Sequence, residues 1–246
     1  MKFIEASKFG GPGVLTVVEA PTPTPTEGTS LVEIMAAGVN YADVMARSGF
    51  YPQVPKAPFP VGFEIAGVVK GIGKDVDGFK EGDSVAAIIQ GGGYATHAVI
   101  PAATAIPLPA GFDHALAVAV LVQGVTAYIL LDEAKVKQGD AVLISAAGGG
   151  LGNIAVQLAK ARGAKVVGLT SKSKFALVRS LGADHVADSD DAGWARSVKE
   201  AVGGKGIQVY LDSIGDLATE AFPLLSQSGQ WIIFDVRSDM RNPTSL

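Results

Sequence analysis

The sequence predicts an α/β chain in two parts, a small β-barrel or folded sheet followed by a doubly wound parallel sheet. Three observations carry that prediction. From about Phe112 onward, short apolar β-type runs alternate with helical spacing, the pattern of strands joined by crossover helices. Residues 1–112 are instead rich in Gly and Pro, with short β-type runs between turns. Within the second part, the run 141–152 reads as strand, glycine turn and helix start. Residues 1–112 and 113–246 are accordingly assigned to separate domains.

The elements follow in order. β-type runs occupy 15–19, 31–35, 64–69, 83–89 and 94–100. The Pro-rich segment 21–28 reads as a stiff surface connection between two strands. Residues 114–135 are strongly apolar, but Gln123, Gly124 and Thr126 interrupt them. That stretch is short for a membrane span and is read as a buried helix pair. Strands are then predicted at 141–146, 164–170, 184–188, 206–212 and 230–236, with helices between them, including 174–181 and 194–202. A full dinucleotide-binding sheet has six strands in two halves. This sequence supplies five, so the sheet is read as truncated after the fifth.

The chemistry concentrates in Ala146-x-x-Gly149-x-x-Gly152. A strand that ends in a glycine turn and opens a helix aims backbone N–H groups and a helix N-terminus at one point, a site for a pyrophosphate. Gly149 is read as the tight turn, and Gly152 as the close approach of helix to strand. An alanine stands where the usual fingerprint has its first glycine. The β-type run at 164–170 completes a βαβ unit, the context the motif requires. About 20 residues past the glycines, an acidic residue would bind the ribose of NAD. Here the sequence is Thr170-Ser171-Lys172-Ser173-Lys174. Hydroxyls and cations suit a 2′-phosphate, which favours NADPH over NADH. One charge-assisted contact of roughly 1.5–3 kcal/mol gives about a tenfold to hundredfold preference.

Composition excludes other classes. The chain has 246 residues, 48% hydrophobic and 18% charged, enough for a sizeable core. Its net charge of −4, with no long basic run, argues against nucleic acid as the main partner. No cysteine is present, so disulfides and thiolate metal sites are excluded. Charges interrupt the first ten residues, which do not read as a signal peptide. A cytoplasmic protein with no membrane partner is expected. The histidines His97, His114 and His185 share no ligand spacing, and no metal is expected.

Ordered motifs extend along nearly the whole chain. They include Phe9-Gly-Gly-Pro-Gly-Val-Leu15, Ala36-Ala-Gly-Val-Asn-Tyr-Ala-Asp43, Ser48-Gly-Phe-Tyr51 and Gly62-Phe-Glu-Ile-Ala-Gly-Val-Val69. Gly71, Gly73, Phe79-Lys-Glu-Gly-Asp-Ser-Val85, Gly124-Val-Thr-Ala-Tyr128 and Leu181-Gly-Ala-Asp184 follow. The chain resembles the zinc-independent, zeta-crystallin-like quinone oxidoreductases of the medium-chain dehydrogenase/reductase superfamily. That resemblance implies a GroES-like catalytic domain and a Rossmann-type NADPH-binding domain. It implies Gly149, Gly150, Leu151 and Gly152 at the pyrophosphate, and Ser171, Lys172 and Lys174 at the 2′-phosphate. It places Asn40 and Thr126 toward the nicotinamide and Tyr51 in the substrate pocket, with Phe234 a further cofactor-binding candidate. Asn40 and Tyr51 are the catalytic candidates, with turn and core duty as their alternative roles. Zinc-using relatives carry Gly-His-Glu where this sequence has Gly62-Phe63-Glu64.

The implied reaction is hydride transfer to a quinone or another electron-poor carbonyl compound, with solvent or the Tyr51 hydroxyl as the proton source. The alternatives are an enoyl reductase, or a non-catalytic NADPH-binding protein if the short sheet does not support turnover. Two departures stand out. Asp235 and Arg237 replace a small Gly/Ser-rich turn, and Ser189 replaces a tyrosine near the 2′-phosphate. The apolar edge at 231–234 is an aggregation or pairing hazard, which either a cover in a monomer or a homodimer that shares the fifth strand would relieve.

Overall fold

Alternation of apolar and polar residues pairs the early strands into antiparallel sheets, while continuous apolar runs form the later, parallel one. The computed structural model describes residues 1–52, 56–215 and 217–234. The chain divides into two compact units, Met1–Val122 and Gln123–Leu246.

The first unit contains β1 (Lys2–Ala6), β2 (Leu15–Glu19), β3 (Thr29–Ala37), α1 (Tyr41–Ser48), β4 (Phe59–Pro60), β5 (Glu64–Ile72), β6 (Ser84–Ile88), β7 (His97–Pro101) and β8 (Ile106–Pro107). One antiparallel sheet has the order β2-β1-β4 and a second the order β7-β3-β5-β6-β8. Val32, Ile65, Val69, Val85, Ala87 and Ile100 fill the core of the larger sheet. Ala6, Val14, Ala46, Phe59 and Val61 form a second cluster that packs α1 against the smaller one. The register of β3 on β5 shifts between Ile34 and Ala36. Gly67 is needed nearby, because a Cβ there would lie 2.0 Å from the Glu33 carbonyl oxygen. Strands β1, β4 and β8 were not predicted. Lys2–Ala6 carries charges at both halves, and the two-residue strands are too short to show a period.

The helix α2 (His114–Glu133) corrects one expectation. It is a single 20-residue helix rather than a buried pair, and by length and composition it could cross a membrane. Gly124 and Thr126 weaken a helix without breaking its hydrogen bonds, and Gly costs only about 1 kcal/mol there. Ala117, Val118, Leu121, Ala127 and Leu131 are buried, while Leu116, Val120, Val125, Tyr128 and Ile129 are exposed.

The second unit continues with β9 (Ala141–Ile144), α3 (Gly150–Ala161), β10 (Lys165–Thr170), α4 (Phe175–Ser180), β11 (His185–Asp188), α5 (Trp194–Val202), β12 (Ile207–Asp212), α6 (Ala218–Ala221) and β13 (Leu225–Ile233). The sheet order is β11-β10-β9-β12-β13, with every pair parallel. Alternate residues of β9 enter opposite cores, Val142 and Ile144 on one face, Ala141 and Leu143 on the other. β13 begins earlier than the predicted 230. Asp235 and Arg237 lie outside the described residues. The chain reverses its direction of winding between β9 and β12, and ligands of open α/β sheets bind beyond the strand ends at such a point.

Candidate functional site

Beyond Ile144 the backbone turns through Ala146, which adopts a left-handed φ of 46°. Gly149 has φ −88°, ordinary extended backbone, and caps α3. The tight turn therefore belongs to the alanine at the first fingerprint position, not to Gly149. The Gly149 N–H donates to the Ala146 carbonyl at 2.8 Å. Gly152 makes the close approach expected of it: a Cβ there would sit 2.3 Å from the Ala146 carbonyl oxygen and 2.8 Å from the Ala147 Cα. Gly150 is exposed, and Leu151 anchors the helix start by packing on the core beneath. The first N–H groups of an α-helix such as α3 lack partners within the helix.

Lys174 lies across this turn. Its Nζ donates to the Gly148 carbonyl at 3.1 Å, and a Cβ on Gly148 would strike its side chain at 2.6 Å. Lys174 is thus brought to the glycine loop. Ser171, at the end of β10, shares a hydroxyl contact with Ser173 (Oγ to Oγ 3.2 Å). Lys172 instead pairs with Asp188 at 3.4 Å, an acid at the end of β11 that sequence reading passed over. Phe234, just past β13, is half-buried against the sheet core, and its N–H donates to the Asp212 carbonyl at 3.1 Å. Thr126 lies half-buried on α2.

Asp212 itself was not anticipated. It ends β12, fully buried. Its Oδ1 accepts from the N–H groups of Ile214 (2.9 Å) and Gly215 (3.0 Å) and from the Ser145 hydroxyl (3.3 Å). Its Oδ2 accepts from the Trp231 indole N–H at 3.1 Å. The carboxylate ties β9, β12 and β13 together at their C-terminal ends.

The first unit holds a cavity of about 450 Å³ lined by Asn40, Tyr51, Phe59, Phe63, Ile88, Gln90 and Val122 among others. The two catalytic candidates are therefore brought together. The Tyr51 ring packs against Phe63 in a tilted arrangement, with centroids 5.2 Å apart and an interplanar angle of 35°. Asn40 caps α1, and its backbone N–H donates to Asp43 Oδ2 at 2.7 Å. Its side-chain Nδ2 donates to Glu64 Oε1 at 2.7 Å, while the Val122 N–H donates to Glu64 Oε2 at 2.9 Å. Burial raises the Glu64 carboxyl above its ordinary range despite these donors, and burial raises Asp43 likewise. Among the described residues no group of three His, Cys, Asp or Glu is placed to hold a metal ion. His97 lies beside Thr96 Oγ1, His114 beside Ser84 Oγ and His185 beside Ser197 Oγ.

Residues 26–110 match the family described as alcohol dehydrogenase GroES-like domain, and residues 150–244 match the one described as zinc-binding dehydrogenase. The quinone oxidoreductase of Pongo abelii is 33% identical over 249 residues, covering 99% of this chain and 76% of that protein. Erythronolide synthase EryA2 of Saccharopolyspora erythraea is 40% identical over 219 residues, covering 87% of this chain but 6% of the synthase. Among solved structures, Escherichia coli quinone oxidoreductase complexed with NADPH superposes with a TM-score of 0.90 at 36% identity, covering 96% of this chain and 73% of that one. The CurK enoyl reductase gives 0.89 at 26% identity, covering 96% and 74%.

Proposed function

The chain belongs to the quinone oxidoreductase family of the medium-chain dehydrogenase/reductase superfamily, and from that membership we propose that it is an NADPH-dependent reductase of quinones or other electron-poor carbonyl compounds that works without zinc. The observation that carries the reading is the glycine turn, where Gly152 leaves no room for a side chain against Ala146. Such a cradle lets phosphate oxygens approach backbone N–H groups at a helix N-terminus. Lys174 is the cation for the 2′-phosphate, and Asn40 and Tyr51 shape the acceptor cavity. NADPH, when bound, supplies the hydride. Tyr51 lines that cavity, and its hydroxyl is the protein's proton donor beside solvent.

The absence of zinc chemistry is read from the residues. Phe63 stands where zinc-using relatives have histidine, and its ring is occupied by Tyr51. The segment matching the zinc-binding dehydrogenase family holds one histidine, His185, and no cysteine. A cytoplasmic location, and a homodimer through the end strand β13, complete the proposal.

The test is calorimetric titration with NADPH, with NADH as control, followed by turnover on a panel of quinones and enones. Tight NADPH binding, weak NADH binding and faster quinone turnover support the reading. The match to an enoyl reductase favours one rival, and faster turnover of α,β-unsaturated thioesters would select it. Binding of neither nucleotide overturns both.

A further inference from the structure

We propose that Glu64 is a positioning residue that sets two walls of the acceptor cavity with one buried carboxylate. The inference rests on the reading of that cavity as the acceptor site. Glu64 opens β5 and is 1% exposed. It forms no ion pair among the described residues, so neutral donors satisfy its charge. Those donors are Asn40 Nδ2 on one oxygen and the Val122 N–H on the other. Asn40 and Val122 both line the cavity, and they come from separate helices, the cap of α1 and the middle of α2. The link from β3 to α1 is built around the carboxylate. At Gly38 a Cβ would lie 2.0 Å from Glu64 Oε1, so only glycine lets the chain pass there.

A buried carboxylate held only by neutral donors is a poor route to stability, since an apolar side chain of similar size avoids its desolvation. What it provides is geometry. Two acceptor oxygens hold two donors at a fixed separation. Glutamine has one acceptor oxygen and cannot serve both. Glu64→Gln therefore sets an amide N–H against a donor, and either Asn40 turns or the middle of α2 moves away. The pair Asn40→Asp with Glu64→Gln restores the network with one direction reversed. The introduced glutamine donates its amide N–H to the introduced aspartate, its oxygen accepts from Val122, and the buried charge is conserved.

The experiment measures steady-state kinetics with 1,4-naphthoquinone and NADPH for the wild type, both single variants and the double variant, together with NADPH affinity and the Val122 amide proton shift. Glu64→Gln should lower kcat/KM for the quinone about tenfold to hundredfold, the loss of one hydrogen bond to a charged group. The double variant should recover at least half of that loss on a logarithmic scale, a coupling that a merely structural residue would not show. The Val122 amide proton should move on Glu64→Gln. Unchanged kinetics in folded Glu64→Gln, or losses that simply multiply in the double variant, would overturn the proposal. A Val122 shift that does not move would overturn it too. A wild type inactive on every quinone and enone would sink the reading of the cavity instead, while the Val122 shift would still report whether Glu64 holds that wall.

Discussion

Gly152→Ala tests the cofactor cradle most directly. The added Cβ would lie 2.3 Å from the Ala146 carbonyl oxygen, where ordinary contact begins at 3.4 Å. Both obstructing groups, Ala146 and Ala147, are backbone, so no side chain can rotate away. The start of α3 must retreat from the turn by about 1 Å, the difference between those distances. Overpacking of this kind costs about 1–3 kcal/mol of stability. The same retreat carries the N–H groups of the first helical turn away from the phosphates. A hydrogen bond stretched from ~2.9 to ~3.9 Å is lost. Losing one charge-assisted bond of roughly 1.5–3 kcal/mol raises the NADPH Kd about tenfold to hundredfold. The assay is urea denaturation for stability and calorimetry for affinity, with Gly150→Ala as the stability control. A Cβ at Gly150 meets only the Gln123 side chain, at 3.4 Å, so that variant should be as stable as the wild type. Equal stability of the two variants, or wild-type NADPH affinity in Gly152→Ala, would refute the argument.

The remaining predictions are smaller in scope. Lys174→Ala should weaken NADPH binding about tenfold to hundredfold and leave NADH binding unchanged, as read by paired calorimetric titrations. Trp231→Phe removes the indole donor to Asp212 and leaves a buried carboxylate oxygen unpaired, so urea denaturation should show a loss of about 1–3 kcal/mol. His185 titrates below its ordinary 6.5 because of burial first, then the charges of Arg179 and Lys165. Its unfolded form protonates before its folded form, so its contribution is complete above about 6.5 and is lost as the pH falls below that value. The urea midpoint of the wild type should drop more steeply than that of His185→Gln across this window.

What could be read from the sequence divides along a physical line. The glycine turn and the five parallel strands were legible because they depend on backbone geometry, which writes itself into local residue types. Ala141–Ile144 is apolar at every position because both faces are buried, and no turn could be mistaken for it. Ala146 was visible as a departure, but its left-handed backbone was not, since nothing local distinguishes it from Ala147. The helix α2 was misread because Gly124 and Thr126 were weighted as breaks, whereas a long apolar helix tolerates them. Asn40 and Tyr51 were drawn together from the family pattern rather than from spacing. Asp212 carries no local signal, and Glu64 stands in the Gly62-Phe63-Glu64 motif without any local sign of its partners. Each is one acid among the 24 in the chain; the donors to Glu64 lie 24 and 58 residues away, and the side-chain donors to Asp212, Trp231 and Ser145, lie 19 and 67 away.

Those two acids solve the same problem in the two units. Asp212 ends a buried parallel strand and receives four donors without a cation among the described residues. Glu64 begins a buried antiparallel strand and receives two. Each stands where a strand meets the candidate site, and each binds groups from segments far apart in the sequence. Apolar packing is non-directional and leaves the alignment of polar groups on such segments unspecified. A carboxylate with fixed oxygens does not. Desolvating it is unfavourable, so its place in the core is explained by the alignment of the elements around it and not by the stability of the fold. Substituting either acid should therefore disturb ligand geometry out of proportion to its effect on melting, the reverse of what an alanine in place of Val142 or Ile65 would do.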